Sequence, residues 1–170
     1  HPEPPNMTTT QPDLSILLVC MGNICRSPTA HGVLRQRVIE SGLAECIGIE
    51  SAGTHDFHVG RGPDRRAQAA ARQRGYDFSD LRARQVEPAD MARFDYVLAM
   101  DRANRVDLER MAGRGARAEI ALFLDYAPDL ADREVPDPYY GGINGFEEVL
   151  DLVETGADAL LARLRERHGL

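Results

Sequence analysis

The sequence predicts an α/β fold: three layers, α/β/α, built around a central four-stranded parallel sheet. Three observations predict it. Short apolar runs alternate along the chain with longer segments of helical periodicity. Glycine and proline punctuate the ends of the helical segments, at Gly42, Pro63 and Gly75. The length of 170 residues suits one compact domain, large enough to bury about two thirds of its unfolded surface.

Each element follows in order. Residues Leu14 to Cys20 (LSILLVC) read as a buried strand. A helix follows from Ser27 to about Ser41, with Val33, Leu34 and Val38 on one face, and Gly42 ends it. Cys46 to Ser51 is a second strand. Pro63 and Asp64 open a second helix that runs to about Arg74, and Gly75 closes it. Tyr96 to Met100 is a third strand, followed by a helix starting near Asp101 or Arg102. Ile120 to Phe123 is a weaker fourth strand. Glu147 to Arg167 is the last helix, with Asn144 and Glu147 spaced as in a capping box. Repeated strand–helix units imply right-handed crossovers and helices on both faces of the sheet. Ligands in such folds bind at the carboxyl ends of the strands. The loops after Cys20, Ser51 and Met100, and the stretch after Phe123, are therefore the places to look.

Composition excludes several classes. The net charge of −7 argues against nucleic-acid binding, which needs basic surface. No apolar run approaches the ~20 residues of a membrane span, so no membrane partner is expected. Residues 1–12 carry neither a basic start nor an apolar core of a signal peptide. They are expected to be a disordered tail or a cloning remnant, with residues 13–170 as a single domain. The three cysteines, Cys20, Cys25 and Cys46, are too few and too irregular for a disulfide framework. They make no zinc spacing either. A reduced, cytoplasmic setting is expected, with no metal and no cofactor.

Two segments carry chemistry. The first reads Cys20-Met21-Gly22-Asn23-Ile24-Cys25-Arg26-Ser27-Pro28, between a strand and a helix. Gly22 and Asn23 tolerate the positive φ angles of a tight loop. Such a loop turns successive amides inward, and the next helix points its N-terminus at the same place, which makes an anion site. Arg26 adds a bidentate fork for phosphate oxygens. Pro28 fits a first helical turn. Cys20 would sit at the floor of an electropositive cup, a setting that favours the thiolate nucleophile. The loop amides and Arg26 would hold the charge of a phosphoryl-transfer transition state. Ser27 would donate to the sulfur.

The second segment is Val135-Pro136-Asp137-Pro138-Tyr139-Tyr140. Two prolines keep Asp137 out of a helix. A carboxyl beside a phosphate dianion and under aromatic cover keeps its proton to higher pH, and so suits a general acid for the leaving oxygen. The same group would then activate water. Tyr139 and Tyr140 would flank the cleft and pack on a substrate ring. His55 and His58 read as plain loop residues.

These two segments resemble those of the low-molecular-weight protein tyrosine phosphatases. So do Ser51-Ala52-Gly53-Thr54, Val59-Gly60, Pro63-Asp64, Ala83-Arg84-Gln85 and Met100-Asp101. The resemblance runs from about Leu14 to the C-terminus. It implies a Rossmann-like, flavodoxin-like fold and hydrolysis of aryl phosphate monoesters through a cysteinyl-phosphate. Tyrosine-phosphorylated proteins are then the partners, and phosphate or another oxyanion is the ligand. It implies Cys20 as nucleophile, Arg26 as phosphate ligand and Asp137 as general acid, then base. Asn23 would hold the loop's shape with Ser51 in its hydrogen-bond network, and Cys25 would form a reversible disulfide with Cys20 on oxidation. Met21, Gly22, Ile24, Cys25, Ser27 and Phe57 complete the implied binding set with Asn23, Tyr139 and Tyr140. The chain departs from the pattern at Leu81, where many members carry a histidine that anchors the loop asparagine. Phe57 stands where relatives carry tryptophan or tyrosine, and Met21 replaces the usual Leu, Thr or Val.

Three rival readings remain. A thioredoxin-coupled arsenate reductase shares this fold but needs further cysteines beyond Cys46. A protein-arginine phosphatase tends to carry threonine at the position of Ile24. A non-catalytic phosphotyrosine-binding module would not need Cys20, Arg26 and Asp137 together.

Overall fold

The computed structural model describes residues 12–140 and 142–170. Of the expected tail, residues 1–11 lie outside the described residues. Four strands form one parallel sheet: β1 (Leu14–Cys20), β2 (Ile47–Gly53), β3 (Tyr96–Ala99) and β4 (Glu119–Leu122). Their order is β2-β1-β3-β4. The helices are α1 (Arg26–Glu40), α2 (Arg65–Arg72), α3 (Asp90–Arg93), α4 (Arg102–Ala112) and α5 (Gly145–His168). This is the expected three-layer α/β arrangement.

β1 shows why the layers form. It is central, and both its faces are buried, so its apolar run is nearly unbroken. Ile16, Leu18 and Cys20 enter the core with Leu34 of α1, Ala71 of α2 and Leu160 of α5. Leu17 and Val19 enter the opposite core with Met91 of α3 and Leu108 of α4. The period of two along the strand thus feeds two cores. Each fully buried aliphatic side chain contributes roughly 1.5–3 kcal/mol.

The chain passes from β1 to β2 on one side and then to β3 on the other. That reversal leaves a crevice beyond the carboxyl end of β1. Cys20 is the last residue of β1, in register with Gly53 at the end of β2. The two strand ends stay together past the sheet: Thr54 N–H donates to Cys20 O at 2.9 Å and His55 N–H to Met21 O at 3.0 Å. A Cβ on Gly53 would stand 2.6 Å from Met21 O, so only glycine permits this approach.

Several boundaries differ from the expected ones. α2 covers only Arg65–Arg72, because the Asp64 side chain caps it from outside, accepting from the amides of Arg66 and Ala67. α5 begins at Gly145, where a Cβ would lie 2.7 Å from Pro138 O, so the helix start packs directly on the 135–140 loop. The expected capping box is not formed: Asn144 makes no side-chain cap, and Glu147 accepts from Arg74 Nη2 at 2.6 Å. Phe123 begins a 3-10 turn instead of ending β4.

Candidate active site

The loop from Cys20 to Arg26 wraps around the Cys20 sulfur. The amide of Asn23 donates to Sγ at 3.3 Å and the amide of Ser27 at 3.5 Å. Ser27 Oγ lies 3.1 Å from the same sulfur. Donors converging on one atom stabilise negative charge there. α1 starts at Arg26 with no side-chain cap and no acidic residue in its first turn, so its N-terminal dipole adds to the same field.

The loop keeps this shape through Asn23, the one non-glycine residue with positive φ (58°) among the described residues. Its Oδ1 accepts from the Arg84 amide at 3.0 Å, and its Nδ2 donates to Ser27 Oγ at 2.7 Å. The position filled by Leu81 is therefore not needed as an anchor: the neighbouring backbone at Arg84 supplies it. Ser51 corrects an expectation, because its hydroxyl pairs with His31 Nδ1 at 3.0 Å and not with Asn23. Burial pushes His31 down to about 4, so it is a neutral partner for Ser51 near neutral pH. Gly22 also departs from expectation: it is not among the positive-φ glycines. Its lack of a side chain instead admits His58, whose ring carbon would come within 3.0 Å of a Cβ there.

Arg26 is buried, and its guanidinium joins three segments. Nη1 donates to Asp101 Oδ2 at 2.7 Å and to Val135 O at 3.1 Å. Nε and Nη2 make no hydrogen bond to protein among the described residues, which leaves that edge of the fork for a ligand. Burial works against its charge, but the Cys20 sulfur and Asp101 more than offset this, and its pKa is raised.

A cleft of about 190 Å³ opens above the loop. It is lined by Cys20, Met21, Gly22, Ile24, Cys25 and Arg26, and closed by Phe57, His58, Asp137 and Tyr139. Asn23 and Ser27, expected in the binding set, do not line it. The side chain of Tyr140 falls outside the described residues. Phe57, 66% exposed, Met21 and Tyr139 give the cleft an exposed apolar rim. Asp137 Oδ1 accepts from the Tyr139 amide at 3.0 Å. The Tyr139 hydroxyl donates to Asp64 Oδ2 at 2.7 Å. Cys25 is buried beside it, and burial pushes its thiol up to about 12, with the Tyr139 hydrogen bond pulling it back only in part.

Four participants were given no role in the site from the sequence, although three of them stand in segments that carry the family resemblance. Asp101, Asp64 and the Arg84 amide act through hydrogen bonds between distant segments, which local patterns do not reveal. His58 was read as an ordinary loop residue, yet its ring forms part of the cleft wall. Among the described residues, no group of three or more His, Cys, Asp or Glu could hold a metal ion. No helix there is long and apolar enough to cross a membrane.

Comparison with known proteins gives a consistent result. Residues 15–169 match the family model described as low molecular weight phosphotyrosine protein phosphatase. A putative low molecular weight protein-tyrosine-phosphatase of Synechocystis is 43% identical over 152 residues, covering 89% of this chain and 96% of that protein. The crystal structure of YfkJ from Bacillus subtilis superposes with a TM-score of 0.87 at 41% identity, covering 92% of this chain and 98% of that one. A protein tyrosine phosphatase from Entamoeba histolytica with Hepes in its active site superposes with a TM-score of 0.85 at 35% identity, covering 91% of this chain and 99% of that one.

Proposed function

Because the chain belongs to the low molecular weight phosphotyrosine protein phosphatase family, a family of hydrolases, we propose that it hydrolyses phosphotyrosine in proteins through a cysteinyl-phosphate at Cys20. The observation that carries this reading is the set of donors converging on one sulfur, facing a carboxylate across a cleft of single-ring size. The Cys20 thiolate attacks phosphorus. The phosphoryl oxygens take the loop amides and the open edge of Arg26. Asp137 gives its proton to the departing phenolic oxygen as the P–O bond breaks. In the second step Asp137 takes a proton from water, the water attacks phosphorus, and the Ser27 hydroxyl stabilises the leaving sulfur. No cofactor enters either step.

Phosphotyrosine is favoured over phosphoarginine by Ile24 in the cleft wall and by the apolar rim, which suit a flat ring. Residues 13–170 work as one catalytic domain, and the free thiols suit a reducing cytoplasm. Under peroxide, Cys20 sulfenic acid is captured by the Cys25 thiol, with loss of water, as a disulfide that thiols reduce again.

The test is turnover of aryl phosphate with Cys20→Ser and Asp137→Ala variants. The parent should release phenol with a pre-steady-state burst, and vanadate should compete with substrate. Unimpaired turnover by Cys20→Ser would sink the nucleophile assignment. Faster release of phosphate from phosphoarginine peptides than from phosphotyrosine peptides would overturn the substrate class.

A further inference from the structure

The general-acid loop is tied to the Cys loop by a continuous chain of hydrogen bonds that passes through a residue outside the cleft. The Asp64 amide donates to the Ile24 carbonyl at 2.8 Å. The Asp64 carboxylate accepts from the Tyr139 hydroxyl at 2.7 Å and from the Arg66 amide at 2.8 Å. The Tyr139 amide in turn donates to Asp137 Oδ1 at 3.0 Å. The Arg66 guanidinium lies 4.8 Å from the Tyr139 ring centre and 5.0 Å from that of Phe146, so the ring is clamped on its outer side. Asp64 does not line the cleft.

We infer that Asp64 is a positioning residue for proton transfer: it fixes the Tyr139 ring against the Cys loop, and Tyr139 fixes the carboxyl of Asp137. The inference rests on the reading of Asp137 as the general acid.

The geometry gives each link a reason. Asp137 is between two prolines, so its backbone is stiff but its side chain is free to rotate. One carboxylate oxygen is held by the Tyr139 amide, which leaves the other to face the leaving group. That bond is only as fixed as the Tyr139 backbone. Tyr139 is 46% exposed, so packing alone does not hold it. Its hydroxyl bond to Asp64 does. Burial and that bond raise the Tyr139 pKa, so it stays a donor. Asp64 stays an acceptor: burial opposes its charge, but Arg66 and Tyr139 together lower its pKa. Because the Asp64 amide also holds Ile24, the acid and the nucleophile loop share one reference point. A general acid supplies about 10²–10⁴-fold in rate, and displacement by about an ångström forfeits much of that.

The experiment compares kcat/KM for phenyl phosphate, a poor leaving group, and p-nitrophenyl phosphate, a good one. Tyr139→Phe keeps the ring and removes only the hydroxyl. Asp64→Ser keeps a cap for α2 but is too short to reach Tyr139. Asp64→Asn retains the cap and can donate to the Tyr139 oxygen. Tyr139→Phe and Asp64→Ser should each lower kcat/KM for phenyl phosphate by roughly 10-fold or more, and for p-nitrophenyl phosphate several-fold less. Asp64→Asn should recover most of the loss. The double variant Asp64→Ser, Tyr139→Phe should be no worse than the poorer single, because Tyr139→Phe already removes the link that Asp64→Ser cuts. Equal losses on the two substrates, or additive losses in the double variant, would overturn the positioning role. Asp137→Ala is run alongside. If it shows leaving-group dependence while the Asp64 and Tyr139 variants do not, the inference fails and the acid assignment stands. If Asp137→Ala shows none, the acid assignment fails and takes the inference with it.

Discussion

Replacement of Asn23 separates two energies that hold the Cys loop. The residue is 4% exposed, its side chain makes the Arg84 and Ser27 hydrogen bonds, and its backbone sits at φ 58°. Alanine and glycine both remove the side-chain bonds. The Arg84 amide then loses its partner, at a cost of roughly 1–3 kcal/mol. Alanine alone also carries the left-handed penalty of about 1–2 kcal/mol, which glycine does not. With ~1.4 kcal/mol equal to a factor of ten, the glycine variant should retain kcat/KM about 5- to 30-fold above the alanine variant. Both should fall below the parent by about tenfold or more. The assay is aryl phosphate turnover with vanadate inhibition as a second report on loop shape. Thermal unfolding is the control. Glycine costs about 0.5–1 kcal/mol more entropy on folding, so the two melting temperatures should differ by only about 2–4 °C. Equal kcat/KM in the two variants, or a more active alanine variant, would refute the claim that the positive φ matters.

Three further outcomes are expected. Asp101→Asn keeps the α4 cap, in which Asp101 accepts from the Asn104 amide at 2.8 Å, but removes the charge beside Arg26. A charge-assisted bond worth roughly 1.5–3 kcal/mol is weakened, so vanadate affinity and kcat/KM should drop by about tenfold with little change in melting temperature; unchanged vanadate affinity would refute it. Burial holds His31 at about 4 in the fold, against 6.5 unfolded, so the unfolded chain binds the extra proton between those values. Stability is therefore full above pH 6.5 and is lost as pH falls toward 4, by up to about 3 kcal/mol. His31→Gln, which keeps a polar partner for Ser51, should flatten that part of the urea stability curve, and an unchanged slope would count against the assignment. Gly53→Ala forces a methyl to within 2.6 Å of Met21 O. It should cost roughly 1–3 kcal/mol and depress activity, and a variant with parental melting temperature and turnover would show that the loop yields freely.

Much of the fold was legible because its signals are local. The LSILLVC run, the two prolines around Asp137 and the Gly42 and Gly75 stops each report on their own neighbourhood. β1 was read to the residue, since a strand buried on both faces is a nearly unbroken apolar run, with Ser15 its one polar residue. The C-terminal helix was misjudged at its start for the opposite reason. Gly145 is set by the contact with Pro138, and Glu147 is taken by Arg74, both from distant parts of the chain. The site divides in the same way. Cys20, Arg26 and Asp137 carry reactive or charged groups in constrained loops, so residue type and spacing expose them. Asp101, Asp64 and Arg84 act by where the fold brings them. The Ser51 expectation shows the hazard of carrying a network across a departure: with leucine at position 81, Asn23 is anchored by a backbone amide, and Ser51 pairs with His31.

The topology explains how two motifs far apart in sequence become one site. β1 and β3 are neighbours, so Cys20 and Met100 end side by side. The Val135 amide donates to Met100 O at 2.8 Å, which brings the Asp137 loop to the end of β3. There the Val135 carbonyl meets Arg26 Nη1. The arginine proposed to hold phosphate is thus also the anchor of the loop that carries the proposed acid. Tyr139 and Asp64 fix the other end of that loop. Asp137 hangs between two anchors, one built on Arg26 and one on the Ile24 carbonyl. Both anchors refer back to the same turn after β1, so a shift of that turn moves the proposed nucleophile, phosphate ligand and acid together and preserves their mutual geometry. This is how a chain with net charge −7 can present the proposed anion site: the positive field comes from one arginine, a few amides and one helix terminus fixed at a strand end, and needs no basic surface around it.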